Sequence, residues 1–291
     1  SFFMRDVASF LSSTPSLYVV ATPIGHLADI GARALGVLRE VDAIAAEDTR
    51  HSLRLLDAHG IRTPLFALHE HNEQTAASRV IAMLAEGRHV ALVSDAGTPG
   101  VSDPGARAVA RVHAAGHPVV PVPGACAAIA ALSASGLGES GFRFAGFLPP
   151  KSAARRTALA ALVASPVALV FYESPHRIVE CVDDLVAVFG GEREVVLARE
   201  LTKLHEQIGR MPLADAPAWL AQDANRQRGE FVLVVSGCPP SEGLEPEAER
   251  VLALLLAELP VKGAARLAAE ITGASRNALY ARALELKQGL E

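Results

Sequence analysis

The sequence has few cysteines and no long hydrophobic segment. Its three cysteines are far apart and form no CxxC pair, which excludes a disulfide framework and a thiolate zinc site. The longest apolar stretch, 251–259, contains Glu258 and stops at Pro260, well short of the roughly 20 residues that a membrane span requires. These absences predict a cytoplasmic protein in a reducing environment, with no transmembrane helix.

Charge is also sparse. Only 20% of the 291 residues are charged, half are hydrophobic, and the formal net charge is -5. This composition excludes disorder, collagen and coiled coil. Because the molecule is acidic as a whole, any contact with nucleic acid must be local. The N-terminal segment, 1–16, has neither a long apolar region nor a cleavage site, and we interpret it as a disordered leader.

Short β-branched apolar runs alternate with helical patterns from residue 17 to 237, which is typical of βα units on a mainly parallel sheet. A segment rich in glycine and proline, 136–150, divides the expected strands into groups of about five and four. The sequence therefore predicts an α/β protein with two α/β domains, 17–123 and 124–238. The expected strands are 17–21, 42–46, 64–68, 89–94, 118–122, 143–147, 166–172, 194–199 and 230–236.

Helical spacing predicts helices over 72–86 and 104–114, the second with Asp103 as its N-cap. A linker rich in proline and glutamate follows Gly237, and three helical patterns come after it. They predict a small helical domain, 244–291, that resembles a helix-turn-helix.

Polar segments follow most of the expected strands. In open α/β sheets, ligands bind beyond the carboxyl ends of the strands, so these segments are expected to converge on one crevice. They are 22–25, 47–50, 95–105, 123–128, 173–177 and 200–203.

Two of these segments have the composition of binding loops. Three glycines in 95–105 free the backbone to approach a ligand, and Asp95 supplies an acceptor. Small side chains open the helix at 124–131, which lets a ligand lie against the helix end. The alternatives are a simple connector for the first segment and tight helix packing for the second.

Several common sites are absent from the sequence. Gly136, Gly138 and Gly141 satisfy GxGxxG, but they follow an expected helix instead of a strand, so a dinucleotide fingerprint is excluded. No GxxxxGK[ST] motif is present, which excludes a P-loop enzyme. His69 and His71 lie in a turn without a carboxylate pattern, and we expect no metal site.

A basic segment at 151–156 contains Lys151, Arg155 and Arg156. We expect these side chains to bind RNA phosphates. The alternative is a solvated helix face.

Eight motifs, in this order, resemble the tetrapyrrole-methylase superfamily and, within it, the bacterial 16S ribosomal RNA cytidine 2'-O-methyltransferases. The resemblance covers roughly 17–237, and the tail SRNALYARALEL resembles that family's helical domain. One departure is His26, where the family usually has asparagine. The motifs are TPIGHLADI (22–30), AEDTRHS (46–52), LVSDAGTPGVSDPG (92–105), PVPGACAAIAALSASGL (121–137), GFLPPK (146–151), FYESPHRI (171–178), ARELTKLHE (198–206) and GEFVLVV (229–235).

The resemblance implies S-adenosyl-L-methionine as the methyl donor, bound in a cleft between two α/β domains. It also implies a homodimer and the small ribosomal subunit, with its 16S RNA, as the substrate. The matching positions imply a cofactor site made of Pro23, Gly25, Asp95, Ala96, Gly97, Thr98, Val101, Ser102, Cys126, Ala127, Phe171, Tyr172, Ala198 and Arg199.

Methyl transfer to a ribose hydroxyl requires alignment of donor and acceptor and removal of the hydroxyl proton. Carboxylates at the strand ends are the candidate proton acceptors, and we expect Glu47 and Asp48, together with Arg50, to be catalytic. Ion pairs between the two domains are the alternative role for these residues.

Two other functions are compatible with parts of the sequence. A methylase of the same superfamily that acts on a tetrapyrrole or a protein would share the strand-end motifs, but FYESPHR, RELTK and the helical tail favour RNA. A non-catalytic regulator that uses the helical tail would bind duplex DNA without a cofactor and with strong salt dependence. The acidic net charge and the polar crevice argue against this regulator.

Overall fold

Buried strands alternate with helices from Leu17 to Val235, as the apolar pattern of the sequence predicts. The structure is a computed structural model that describes residues 9–239, 244 and 246–288. It separates two units, one ending at Gly237 and the other beginning at Cys238. Both sheets belong to the first unit.

The strands form two five-stranded sheets. In chain order they are β1 (Leu17–Val20), β2 (Ala43–Ala46), β3 (Leu65–Ala67), β4 (Val90–Val93), β5 (Val119–Val122), β6 (Phe142–Phe147), β7 (Ala168–Glu173), β8 (Glu194–Arg199), β9 (Gln207–Pro212) and β10 (Phe231–Val235). The α-helices are α1 (Ala32–Glu40), α2 (Thr49–Ala58), α3 (Glu73–Ala85), α4 (Ala106–Ala114), α5 (Ala127–Ser135), α6 (Ser152–Ala160), α7 (Ile178–Phe189), α8 (Ala216–Ala221), α9 (Pro246–Glu258), α10 (Val261–Thr272) and α11 (Arg276–Gln288).

The first sheet is parallel throughout, in the order β3-β2-β4-β1-β5. Side chains of α1 and α2 pack on one face, and side chains of α3 and α4 pack on the other. From the adjacent strands β1 and β4, the chain leaves in opposite directions, toward β2 and toward β5. This arrangement opens a crevice at the carboxyl ends of β1 and β4, the position where open α/β sheets bind ligands.

The second sheet is mixed, in the order β6-β7-β10-β8-β9. Only the pair of β6 and β7 is parallel, because β10 runs antiparallel to both β7 and β8, and β9 antiparallel to β8. A mainly parallel sheet is therefore the wrong prediction for this half. The sequence patterns also miss β9, an edge strand of alternating exposure that contains Gly209 and Arg210.

The beginning of α4 differs from the prediction. Its N-cap is Gly105, with φ at +121°, a value that L side chains rarely adopt, and not Asp103. The buried Glu73 carboxylate replaces the expected cap, since its Oε1 accepts hydrogen bonds from the backbone N–H groups of Gly105, Arg107 and Ala108 at 3.2, 3.0 and 3.1 Å. The glycine-rich segment 95–105, here called the glycine loop, is thereby connected to α3.

The segment 9–16 contacts α1 and β1, so the expected disordered leader is wrong for these residues. Leu11 packs against the apolar core, Ser16 is buried, and the Ser12 N–H donates to Tyr18 Oη at 2.6 Å. Residues 1–8 lie outside the described residues.

The second unit contains α9, α10 and α11, which bury an alanine- and leucine-rich core. Gly273, in the left-handed conformation, ends α10, and Ser275 Oγ accepts from the Ala278 N–H at the start of α11 at 3.4 Å. Parts of the expected domain, 245 and 289–291, lie outside the described residues. In the ranges that the structure describes, no helix combines the length and apolarity needed to cross a membrane.

Candidate active site

A cavity of about 330 Å³ lies between the first sheet's carboxyl edge and the second sheet. The loop after β4, the start of α5, the end of β7, strand β8 and the start of β10 line it. Nine of the residues expected to bind the cofactor line this cavity: Ala96, Gly97, Thr98, Val101, Ser102, Cys126, Ala127, Tyr172 and Ala198.

The glycine loop is fixed in place by backbone hydrogen bonds. Thr22 and Gly97 exchange N–H···O bonds of 2.9 and 3.1 Å, and Thr98 Oγ1 donates to the Ala125 carbonyl at 3.0 Å. Gly97 and Ser102 have positive φ angles of +79° and +60°. For Ser102 this conformation is uncommon, and such strained residues cluster at ligand sites.

Tyr172 forms an aromatic wall of the cavity. Its ring meets those of Phe144 and Phe147 edge to face, at centroid distances of 4.9 and 5.6 Å, and its Oη accepts from the Ala128 N–H at 3.1 Å. Burial raises the pKa of Tyr172 above its ordinary value. The phenol is therefore neutral at physiological pH and serves as a packing and hydrogen-bonding group.

Phe171 and Arg199, both expected at the cofactor site, have side chains on the opposite face of the second sheet. Phe171 is fully buried in that face's apolar core. The Arg199 guanidinium is also buried and donates to the carbonyls of Arg228 and His205, at 2.5 and 3.0 Å. The prediction is wrong for these two side chains, because side chains alternate along a strand and the neighbours Tyr172 and Ala198 take the cavity face.

A second cavity, of about 540 Å³, adjoins the first. The two share Ile24, Ala96, Lys203 and Glu230 as lining residues. Three other expected cofactor residues line the second cavity and not the first: Pro23, Gly25 and Asp95. Helix α2 contributes His51, Ser52, Arg54 and Leu55 on the other side. Two adjoining spaces therefore meet at the strand ends.

The three expected catalytic residues line neither cavity but lie beside Asp95 and α2. Burial and the charges of Asp95 and Asp103 raise the pKa of Glu47. Asp48 caps α2, its backbone N–H donates to Asp95 Oδ1 at 3.0 Å, and hydrogen bonds from Arg50 lower its pKa to about 2. Since a carboxyl of such low pKa is a weak proton acceptor at neutral pH, Glu47 is the better base of the pair.

Lys203 stands where the two cavities meet. Its Nζ contacts Glu200 Oε1 at 2.9 Å and Glu230 Oε2 at 2.7 Å. Burial of Lys203 would lower its pKa, but the hydrogen bonds that its ammonium group donates to Glu230 and Glu200 outweigh this effect and raise the pKa. An added Cβ at Gly25 would lie 2.5 Å from Lys203 Cγ, so glycine there allows the two halves to approach.

Several lining residues are absent from the expected cofactor site, among them Asp103, although its segment is expected at the crevice, and the start of β10 at 230–232. Asp103 lies inside one of the eight motifs, but its position before a proline favours a helix cap. The start of β10 is not predicted, because the rule that ligands bind at the carboxyl ends of strands holds for parallel strands. In an antiparallel strand it is the beginning that lies at the ligand edge, as the pairing of Phe231 with Glu173 and Arg199 shows.

One residue of the basic segment at 151–156 has a structural role. Arg155 is fully buried, with Nε 2.7 Å from Asp184 Oδ2, so the expectation that it binds RNA is wrong. Arg156 also contacts Asp184, at 2.5 Å, but its side chain is half exposed. Lys151 is exposed and forms no ion pair among the described residues.

The part of the chain that the structure describes holds no cluster of three or more histidine, cysteine, aspartate or glutamate residues suited to a metal ion. His69 and His71 stack edge to face in the turn before α3, with ring centroids 6.0 Å apart.

Comparison with known proteins agrees with this architecture. The family model for Tetrapyrrole (Corrin/Porphyrin) Methylases matches residues 16–217, and the model for the RsmI C-terminal HTH domain matches residues 242–287. The chain is similar to proteins named Ribosomal RNA small subunit methyltransferase I. The Pseudomonas aeruginosa protein is 57% identical, covering 95% of this chain and 99% of that protein. The Escherichia coli O157:H7 protein is 55% identical, covering 97% and 99%.

Among solved structures, a uroporphyrin-III-C-methyltransferase from Thermus thermophilus shares the fold, with a TM-score of 0.55 and 23% identity over 76% of this chain and 94% of that one. A diphthine synthase aligns with a TM-score of 0.58 and 15% identity, over 76% and 90%. The family model spans well over half of the chain, and the relatives match it almost end to end. The chain therefore belongs to the tetrapyrrole (corrin/porphyrin) methylase family.

Proposed function

We propose that this protein 2'-O-methylates the ribose of a cytidine in the 16S RNA of the small ribosomal subunit, with S-adenosylmethionine as donor. The observation that carries the proposal is the pair of adjoining cavities, because methyl transfer needs donor and acceptor side by side. Support for RNA comes from the full-length relatives named as small-subunit ribosomal RNA methyltransferases. A homodimer is a further proposal, based on the family resemblance, and a cytoplasmic location is another, based on the separated cysteines.

The residues of the first cavity fit S-adenosylmethionine. Its volume of about 330 Å³ lies within the range of roughly 300–1,000 Å³ typical of small-molecule sites. Apolar side chains such as Ile24, Tyr172 and Leu201 suit the adenine ring, and the Asp103 carboxylate suits the donor's hydroxyl or ammonium groups. Ala96, Gly97 and the other small residues leave space against the backbone.

When bound, S-adenosylmethionine supplies an electrophilic methyl group together with its own leaving group. The protein's task is then to align the acceptor hydroxyl and to accept its proton. The fixed loop at 95–103 and the start of α5 hold the donor side. Residues of the second cavity, including Asp95 and Lys203, face the acceptor side.

We propose Glu47 as the proton acceptor, and since it lines neither cavity, it would take the proton through one water beside Asp95. Its carboxyl lies near Asp95 and Asp103, whose charges, together with burial, raise its pKa. A raised pKa strengthens the carboxylate of Glu47 as a base. Asp48 and Arg50 are engaged with each other, and we propose that they orient the start of α2 beside Glu47.

Replacing Glu47 with glutamine is expected to lower kcat by about 100-fold, a typical contribution of general-base catalysis. Affinity for S-adenosylmethionine should change little, because Glu47 lines neither cavity. The wild-type kcat should fall as the pH drops through the raised pKa of Glu47, since protonation removes the base. Single-turnover rates and calorimetric cofactor binding, measured from pH 5 to 8, would separate the two effects.

Glu86→Gln is the matched control, because Glu86 is exposed and pairs with Arg88 away from the cavities. It should retain the wild-type rate. An unchanged kcat in Glu47→Gln would exclude Glu47 as the base.

The function itself is tested by transfer of labelled methyl to small ribosomal subunits from cells that lack this protein, followed by nucleoside digestion. Label in 2'-O-methylcytidine would support donor, substrate and acceptor atom together. Label in another nucleoside would overturn the assignment of the acceptor. Cofactor binding without label in RNA would point to a tetrapyrrole or protein substrate.

A further inference from the structure

Helix α2 carries two basic side chains that line the second cavity. His51 and Arg54 are both exposed and both line this cavity. Their spacing of three residues places them on one face of the helix. Within residues 9–239, neither side chain forms a hydrogen bond or an ion pair with another group. Two basic groups therefore face the cavity without an acidic partner.

The other cationic groups near this cavity are already engaged. Lys203 lies between Glu200 and Glu230, and Arg50 contacts Asp48 at 3.1 Å. The basic groups of this cavity that are available to a ligand are therefore those of α2, His51 and Arg54.

The rest of the lining of the second cavity has a different character from the side formed by α2. Asp95 and Glu230 contribute carboxylates, while Ile24, Leu27 and Leu55 contribute apolar surface. A small free anion that entered the cavity would meet the two carboxylates. A ligand with an uncharged body and flanking anionic groups would match both this lining and the two basic side chains of α2. A nucleotide within single-stranded RNA has this arrangement, with its base and ribose flanked by phosphates.

We propose that His51 and Arg54 bind the phosphates that flank the acceptor ribose, which makes α2 the RNA-positioning element of the second cavity. This inference rests on the proposed function and specifies which residues hold its substrate. Arg54 supplies a planar guanidinium suited to phosphate oxygens, and His51 supplies an imidazole N–H donor.

The test is a double variant, His51→Gln with Arg54→Gln, assayed as the full chain on small ribosomal subunits that lack the modification. Both side chains are exposed, so the core is undisturbed. KM for subunits should rise about tenfold or more, the effect of losing charge-assisted hydrogen bonds. The slope of log KM against log salt should become shallower by about 0.7 for each phosphate that the variant no longer neutralises. Arg54→Lys, which keeps the charge, should retain most of the salt dependence.

Two measurements keep the outcome specific. Affinity for S-adenosylmethionine should be unchanged in the double variant, and Arg62→Gln should behave as wild type. Arg62 is an exposed arginine that pairs with Asp57 and lines neither cavity.

The possible results separate this inference from the proposed function. If the wild type methylates subunits and the double variant shows the same KM and salt slope, the role of α2 is overturned while the function stands. If the wild type transfers no methyl to RNA, the proposed function fails and this inference fails with it.

Discussion

Replacement of Asp184 by alanine is expected to lower the free energy of unfolding by about 3 kcal/mol, because it leaves a buried cation without its main partner. Asp184 is buried, and its carboxylate accepts from Arg155, Arg156 and Ser152 at 2.7, 2.5 and 2.9 Å. Arg155 has no exposed side-chain surface. Without the aspartate, its guanidinium keeps a longer ion-pair contact, to Glu180 Oε2 at 3.5 Å.

Urea unfolding of the two proteins at several pH values would measure this loss. Burial alone would raise the pKa of Asp184, but hydrogen bonds from Arg156, Arg155 and Ser152 outweigh it and leave the pKa below its ordinary value. The pair's contribution is therefore complete above the unfolded pKa of about 3.9 and is lost as the pH falls through the lower, folded pKa. The difference between the two proteins should be largest at neutral pH.

Asp57→Ala is the matched control, since Asp57 forms an exposed pair with Arg62. Its loss should cost less than about 1 kcal/mol. If Asp184→Ala were as stable as this control, Arg155 would have found another partner, and the structural role assigned to Asp184 would be wrong.

Replacement of Ala127 by leucine is expected to weaken binding of S-adenosylmethionine by about tenfold to 100-fold. Ala127 begins α5 and lines the first cavity. A leucine places three more carbon atoms at this wall, and overpacking of this kind costs about 1–3 kcal/mol. Isothermal titration calorimetry with the purified protein would measure the change in Kd.

Ala134→Leu provides the control on the same helix, because Ala134 is exposed to solvent. Its Kd and melting temperature should match those of the wild type. Equal cofactor affinity in Ala127→Leu would mean that the donor does not lie against the start of α5.

The first half of the molecule is well predicted from its sequence. Each of its strands is a short, fully or mostly apolar run bounded by turn residues, as expected for parallel strands covered on both faces. The loop at 95–105 can be identified because its backbone conformation requires glycine at three positions. Gly97, Gly100 and Gly105 all have positive φ.

The second half is harder to predict because strand direction leaves little mark on a buried strand. Strand β10 is apolar along its whole length, whether its neighbours run parallel or antiparallel. The face of a side chain near a strand end depends on register, which is why the sequence does not distinguish the roles of Phe171 and Tyr172. The partner of Arg155 lies 29 residues away in α7, and no local pattern in the sequence links the two.

The Glu73 carboxylate, which caps α4, determines at which stage the loop at 95–105 becomes ordered. Glu73 belongs to α3, yet it holds the first turn of α4 and thereby one end of the loop that lines the first cavity. The conformational entropy of this end of the loop is therefore lost during folding and not on cofactor binding. Amide hydrogens of Gly105, Arg107 and Ala108 should then exchange slowly even in the cofactor-free enzyme. A substitution at Glu73, remote from the reacting groups, would shift this ordering to the binding step.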